Sequence, residues 1–226
     1  MWANIITVDG PSGAGKGAIA TRLADLLGWH LLDSGALYRT TAHACARAGV
    51  ELTDHQQVAD IARHLQVEFL RSAEESVAVY LQGEDISRVI RSEEAGRGAS
   101  AVGAMPAVRR ALLERQRDFL RPPGLIADGR DMGTVVFPSA ALKIFLVASV
   151  EERAQRRFRQ LLALGENVTF ARLLRDMEER DERDRSRSLS PLEPADDAVV
   201  IDSTATPIDA VLAKVMAEVN RVYSER

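Results

Sequence analysis

The stretch IITVDGPSGAGKGAIATRLADLLGW, Ile5 to Trp29, joins an apolar β-rich run to a glycine-rich loop and then to a helical pattern. From Gly10 through Gly15 to Lys16 it follows the form G-x-x-x-x-G-K-[ST]. In such a loop, successive backbone N–H groups wrap a phosphate at a helix N-terminus. The lysine then bridges the β- and γ-phosphates. Strand-loop-helix order around the motif separates it from an ordinary glycine-rich turn. One usual contact is missing, because Gly17 and Ala18 occupy the places where a Ser or Thr would reach Mg²⁺. A glycine at 17 permits close backbone approach to phosphates, and Mg²⁺ keeps several waters readily, so phosphate oxygens and water are expected to hold the metal. Asp128, which closes an apolar strand, is the candidate to orient those waters; a helix cap or surface turn is its other reading.

Outward from this loop, further apolar β-rich runs occur at His30–Leu32, Leu125–Ala127, Leu142–Val147 and Val199–Ile201. Together with Ile5–Val8 they read as buried parallel strands. Amphipathic stretches lie between them at Lys16–Leu27, Tyr38–Ala48, Val108–Leu120, Val150–Leu164, Thr169–Arg180 and Ile208–Tyr223. Strand alternating with helix predicts a doubly wound α/β sheet. From Leu65 to about Ile90 the period changes to two, with a polar turn around Ser72–Ser76, so a small antiparallel insert is expected there.

The 226 residues fit one large domain or one core carrying insertions, and 46% hydrophobic residues suffice for a sizeable core. The single cysteine, Cys45, excludes an intramolecular disulfide. With no charged-then-apolar leader, the expectation is a cytoplasmic protein. No apolar run approaches the roughly 20 residues that span a bilayer. A net charge of −4 argues against broad duplex binding, so neither nucleic acid nor membrane is an expected partner, and a monomer is expected. Among the basic residues 26 are Arg and only three are Lys, which makes any single Arg weak evidence and puts the weight on clusters.

Three further segments carry chemistry. LLDSGALYR places Ser34 and backbone amides at a helix start, with Arg39 about one turn inside, where a second phosphate would dock; a simple helix cap explains Asp-Ser-Gly equally well. LIADGRDMGTVVFP brings Asp128, Arg130 and Asp131 to the carboxyl edge of the sheet, the place where open α/β folds bind ligands. EERAQRRFRQ and ERDERDRSRS are arginine-rich, and Arg153 with Arg157, like Arg156 with Arg159, share helix faces. Guanidinium forks match phosphoryl oxygens, and unpaired arginines repel one another until an anion arrives.

In this order, GPSGAGKG, LLDSGALYR, GLIADGRDMGTVVFP and ERDERDRSRS resemble the bacterial cytidylate kinases, a nucleoside monophosphate kinase family, from Ile5 to Tyr223. The resemblance implies a P-loop nucleoside monophosphate kinase fold: a five-stranded parallel sheet flanked by helices, a small antiparallel insert and a lid. It implies one P-loop kinase unit over 1–226, with a monophosphate-binding region at 34–110 that includes the insert at about 64–100. The lid region would cover 153–187, with the lid itself near Leu161–Val168. Gly10, Pro11, Ser12, Gly13, Ala14, Gly15, Lys16, Gly17 and Ala18 would bind ATP with Mg²⁺. Ser34, Arg39, Arg109, Arg130, Asp131, Arg180, Asp184 and Arg187 would bind CMP or dCMP, and Lys16, Arg130, Arg153 and Arg157 would be catalytic. Family members commonly read GKGT where this chain reads GKGA, so Ala18 removes a hydroxyl expected near the donor phosphates. The expected reaction is transfer of the γ-phosphoryl group of ATP to CMP or dCMP. A kinase for another acceptor such as UMP, or a nucleotide-dependent switch without an acceptor, would use the same loop.

Overall fold

The computed structural model describes residues 4–71, 77–163 and 165–223. Two compact units divide the chain: residues 1–32 with 119–226, and residues 33–118.

The first unit holds a five-stranded sheet in the order β2-β6-β1-β7-β8. Its strands are β1 (Asn4–Asp9), β2 (His30–Asp33), β6 (Gly124–Asp128), β7 (Leu142–Val147) and β8 (Val199–Asp202). β1 runs parallel to both β6 and β7, and β7 runs parallel to β8. A strand hydrogen-bonded on both edges and covered on both faces has no polar side to show, so β1 is buried from Ile5 to Asp9. Helices α1 (Lys16–Leu27), α6 (Val150–Ala163), α7 (Phe170–Arg185) and α8 (Ile208–Tyr223) complete this unit. α1 contributes Ile19, Ala20, Leu23 and Ala24, and α8 contributes Val211, Val215 and Val219, to one apolar cluster with Ile6, Val8, Ile126, Ile144 and Leu146. Trp29 closes one end of it, edge-on to Tyr223 with 5.3 Å between ring centroids. The Tyr223 hydroxyl donates to the Ile5 carbonyl at 2.8 Å.

The second unit contains α2 (Ser34–Arg47), α3 (His55–Arg63), the antiparallel strands β3 (Val67–Arg71), β4 (Val77–Leu81) and β5 (Glu84–Asp85), then α4 (Glu93–Gly103) and α5 (Pro106–Arg117). Side-chain caps start three of its helices: Asp33 accepts from the Ala36 amide, Asp54 from that of Gln57 and Ser92 from that of Ala95. Proline at the first turn starts α5. α2 and α4 pack closely because both faces are small; a Cβ on Gly98 would lie 2.8 Å from that of Ala42.

All five sheet strands and both α1 and α8 lie where the periodicity places them. The period-two stretch is antiparallel, while its turn at Ser72–Ser76 lies outside the described residues. Three helix limits shift: α2 starts at Ser34 rather than Tyr38, α5 spans Pro106–Arg117 rather than Val108–Leu120, and α7 runs on to Arg185. Two helices are unanticipated. α3 is short and polar, and α4 (EEAGRGASAVG) is so rich in Gly and Ala that its buried face has no large apolar residue but Val102. Among the described residues, no helix is long and apolar enough to cross a membrane.

At the first residue of β6, a Cβ on Gly124 would meet the Trp29 ring at 2.5 Å. Gly124→Ala is therefore expected to cost about 1–3 kcal/mol by overpacking, read from urea unfolding. Adding Trp29→Leu should relieve the clash, so that the pair costs less than the sum of the two single changes.

Candidate active site

The carboxyl end of β1 delivers the phosphate loop. Gly10 leaves the strand with φ near +141°, and a Cβ there would lie 2.1 Å from the Leu146 carbonyl oxygen, so no other residue fits. The loop carbonyls are then taken by donors from three elements. Lys16 Nζ donates to the Pro11 carbonyl at 2.9 Å, Arg153 Nη1 to that of Ser12 at 3.0 Å, and Ser203 Oγ to that of Ala14 at 3.0 Å. In a trans peptide the C=O and N–H point in opposite directions. The amides of Ser12, Gly13 and Gly15 therefore point away from these donors. Gly15 has no side chain to cap α1, and the helix adds its positive end to the same place. The result is an anion cradle.

Around the cradle lies a cluster of buried charges. Burial lowers the Lys16 ammonium to a pKa of about 7; Arg130 and Arg180 push the same way, and Asp128 and Asp9 push back. A Cβ on Gly17 would lie 3.5 Å from Asp128 Oδ2, which sets that carboxylate beside the start of α1. Arg130 reaches Asp184 through Nε at 3.2 Å and the Gly129 carbonyl through Nη1 at 3.1 Å. Arg187 pairs with the other oxygen of Asp184. Burial works against the charged form of Asp184, but Arg130, Arg187 and Arg180 overcome it and hold the carboxyl below its usual range. Asp131 is buried beside this cluster and opens a single π-type turn over Met132–Val136, with Val136 N–H donating back to the Asp131 carbonyl. Such turns are rare and frequently sit at functional sites.

In the second unit, Ser34 is buried at the first position of α2. Asp33 rather than Ser34 provides the cap, and the same carboxylate accepts from Arg39 at 2.8 Å. Arg109 lies over the Tyr38 ring, 5.5 Å from its centroid, and donates to the Gly103 carbonyl at 3.1 Å.

The arginines of α6 differ in their surroundings. Arg153 is only 2% exposed, and four of its five N–H donors are used internally: on Ser12, on the Ala148 carbonyl, and twice on Asp181 at 3.2 and 2.5 Å. In this arrangement it braces the loop from beneath. Arg156 is also occupied, by Glu152 and by the Ser203 carbonyl at 2.6 Å. Arg157 is half-buried, with Gln160 Oε1 at 3.5 Å. Sequence reasoning missed Asp9, Asp181 and Ser203. Asp9 left a trace in the sequence as the acid that ends the strand before the glycines, and Asp181 stands within the arginine-rich ERDERDRSRS.

A glycine-rich phosphate loop on a parallel sheet, with a lysine and a buried arginine–aspartate cluster at the carboxyl edge, defines a P-loop phosphotransferase. The family model described as "Cytidylate kinase" matches residues 6–221. The chain is 57% identical over 217 residues to the cytidylate kinase of Aeromonas hydrophila subsp. hydrophila, covering 96% of this chain and 94% of that protein. It is 53% identical over 216 residues to that of Stutzerimonas stutzeri, covering 95% and 94%. A crystal structure of a gluconokinase from Sinorhizobium meliloti superposes at TM-score 0.48 with 15% identity, over 99% of this chain and 95% of that one. This chain belongs to the cytidylate kinase family.

Arg153 and Arg157 of α6 should separate in stability. Arg153→Ala strands Asp181 in the interior and is expected to cost about 3–5 kcal/mol in urea unfolding. Arg157→Ala should cost less than about 0.5 kcal/mol.

Proposed function

We propose that this chain transfers the γ-phosphoryl group of ATP to CMP or dCMP, giving ADP and CDP or dCDP. The observation that carries the reading is the Lys16 cradle sharing one unit with the buried Asp131 and Asp184 and the half-buried Arg130, Arg180 and Arg187, in a chain of this family. The acceptor phosphate is already ionised at pH 7, so the enzyme needs to position and neutralise, with no strong base and no covalent intermediate. Residues 10–18 bind the ATP phosphates. Lys16, Arg130 and Arg157 face the charge that spreads over the transferred group, while Arg153 shapes the loop.

Asp128, beside Gly17, suits a hard cation that keeps its waters, and it stands in for the hydroxyl that Gly17 and Ala18 lack. When bound, Mg²⁺ neutralises phosphate charge. The lid near Leu161–Val168, within the region 153–187, excludes water, since an open site would hydrolyse ATP. Ser34, Arg39 and Arg109 of the second unit are assigned to CMP as well. Asp131 accepts from the cytosine amino group, and Arg109 donates to N3 or O2. Uracil reverses that pattern, with O4 facing a carboxylate and N3–H facing a guanidinium.

ATP binding should take up a proton. The free Lys16 titrates at about 7, and the arriving phosphates raise it, so between pH 7 and 8 the ammonium form is restored on binding. Calorimetry in buffers of different ionisation enthalpy should show about three-quarters of a proton more at pH 7.5 for the wild type than for Lys16→Met.

The acceptor decides the reaction. With ATP and Mg²⁺, ADP production should require CMP or dCMP, and UMP should be poorer by up to about 10⁴-fold in kcat/KM. Asp131→Ala should narrow the CMP/UMP ratio, and Arg187→Ala should weaken both alike. ADP release independent of any monophosphate would instead indicate a nucleotide switch, and an unchanged ratio in folded Asp131→Ala would remove Asp131 from base reading.

A further inference from the structure

Asp9 ends β1 immediately before the phosphate loop, is buried, and belongs to none of the groups assigned above to ATP or CMP. Its two carboxylate oxygens are each taken by a different backbone amide. Oδ1 accepts from Met132 at 2.9 Å and Oδ2 from Gly133 at 2.8 Å. Those amides are the first two of the π-type turn that follows Arg130 and Asp131. A second tie runs beside the first, from the Gly129 amide to the Val8 carbonyl at 3.1 Å. The segment 129–133 is thus pinned at both ends to the last two residues of β1, one residue ahead of the cradle.

From the other side the turn has no room to move inward. A Cβ on Gly133 would lie 2.9 Å from Thr7 Oγ1 and 3.1 Å from Lys143 Cδ. Lys143 is itself held by Asp197 at 2.8 Å.

We propose that Asp9 is a positioning residue for phosphoryl transfer: its carboxylate, bridging the amides of Met132 and Gly133, sets Arg130 and Asp131 at a fixed offset from the phosphate loop. Asp9 touches neither substrate. It acts by registering the acceptor-side segment against the donor-side loop within one unit, where an in-line reaction tolerates little displacement. The placement has a cost in burial, which pushes the Asp9 carboxyl up to about 7 despite both amide bonds, with Asp131 and Asp128 adding to the rise. An aspartate retained under those conditions is explained by the bidentate geometry, which neither Asn nor Ser reproduces. This inference rests on the assignment of Arg130 and Asp131 to the reaction.

Asp9→Asn tests it, because Asn keeps the shape and turns an NH₂ donor toward one of the two amides. The expected result is a fall in kcat of about 10²-fold. ATP and CMP, each titrated alone by calorimetry, should bind within about threefold of wild type, because alignment rather than ground-state binding is lost. A folded Asp9→Asn enzyme with wild-type kcat overturns the proposal, as does a loss that appears wholly as weaker ATP binding. Should Asp9→Asn fail to fold, Gly133→Ala decides, since its methyl pushes the same turn off β1 while leaving Asp9 intact. It should reproduce the kcat loss with binding kept, and unchanged kcat overturns the proposal. Arg130→Ala and Asp131→Ala, in the same assay, separate the two readings. If they are inactive while Asp9→Asn is active, only the positioning role falls. If both retain wild-type kcat, the assignment of their segment falls and the positioning role with it.

Discussion

Three of the six residues from Gly10 to Gly15 are glycines, which have no side chains with which to hold the loop and give up more backbone freedom on ordering than any other residue. The phosphate loop is instead shaped from outside. Its carbonyls at Pro11, Ser12 and Ala14 are drawn to Lys16 of α1, Arg153 of α6 and Ser203 after β8. Peptide planarity converts each of those bonds into an N–H directed the other way, so the cradle follows from carbonyl partners rather than from glycine itself. Glycine supplies only permission, most plainly at Gly10, where any Cβ would run into the Leu146 carbonyl. Each donor must in turn be anchored, which explains why Arg153 is clasped by Asp181 and why Ser203 is also contacted by Arg156.

The same elements set the electrostatics. Lys16 is buried among Arg130 and Arg180, and its ammonium is correspondingly weakened. Such a site is poorly satisfied without an anion, and a phosphate improves every unfavourable pair at once. Asp184 keeps the cluster folded in the meantime, because two guanidinium groups bond its carboxylate directly. The protein thereby holds several cations close together without leaving them to repel one another. Preorganised charge of this kind needs no rearrangement at the moment of transfer.

The fold was legible wherever one short pattern decided it. Five apolar runs could only be buried strands, and α1 follows directly from the strand-loop-helix motif. α4 was not legible, because it packs on α2 through Gly98 and Ala42 rather than through large apolar residues, and small residues leave no periodic signal. Of the candidate site, the loop and the segment around Arg130 and Asp131 were visible as motifs. The roles of Asp9, Asp181 and Ser203 were not, since each acts on backbone or on another charge across a long stretch of sequence: Asp9 bonds residues 123 and 124 positions away, Asp181 one 28 away and Ser203 one 189 away.

Arginine shows most clearly what spacing leaves undecided. Arg153 and Arg157 share a helix face one turn apart, and from the sequence they are equivalent. Four residues of rise carry one of them under the phosphate loop, where carbonyls and a carboxylate surround it, and leave the other half-buried beside Gln160. A guanidinium whose donors are engaged by buried acceptors would have to abandon them to turn to a substrate. The role of each arginine is therefore decided by which acceptors the fold places against it. Arg130 stands between these extremes. It is held by Asp184 and by its own neighbour's carbonyl, yet it lies close enough to Lys16 to weaken its charge, so the fold orients it while keeping it beside the phosphate loop.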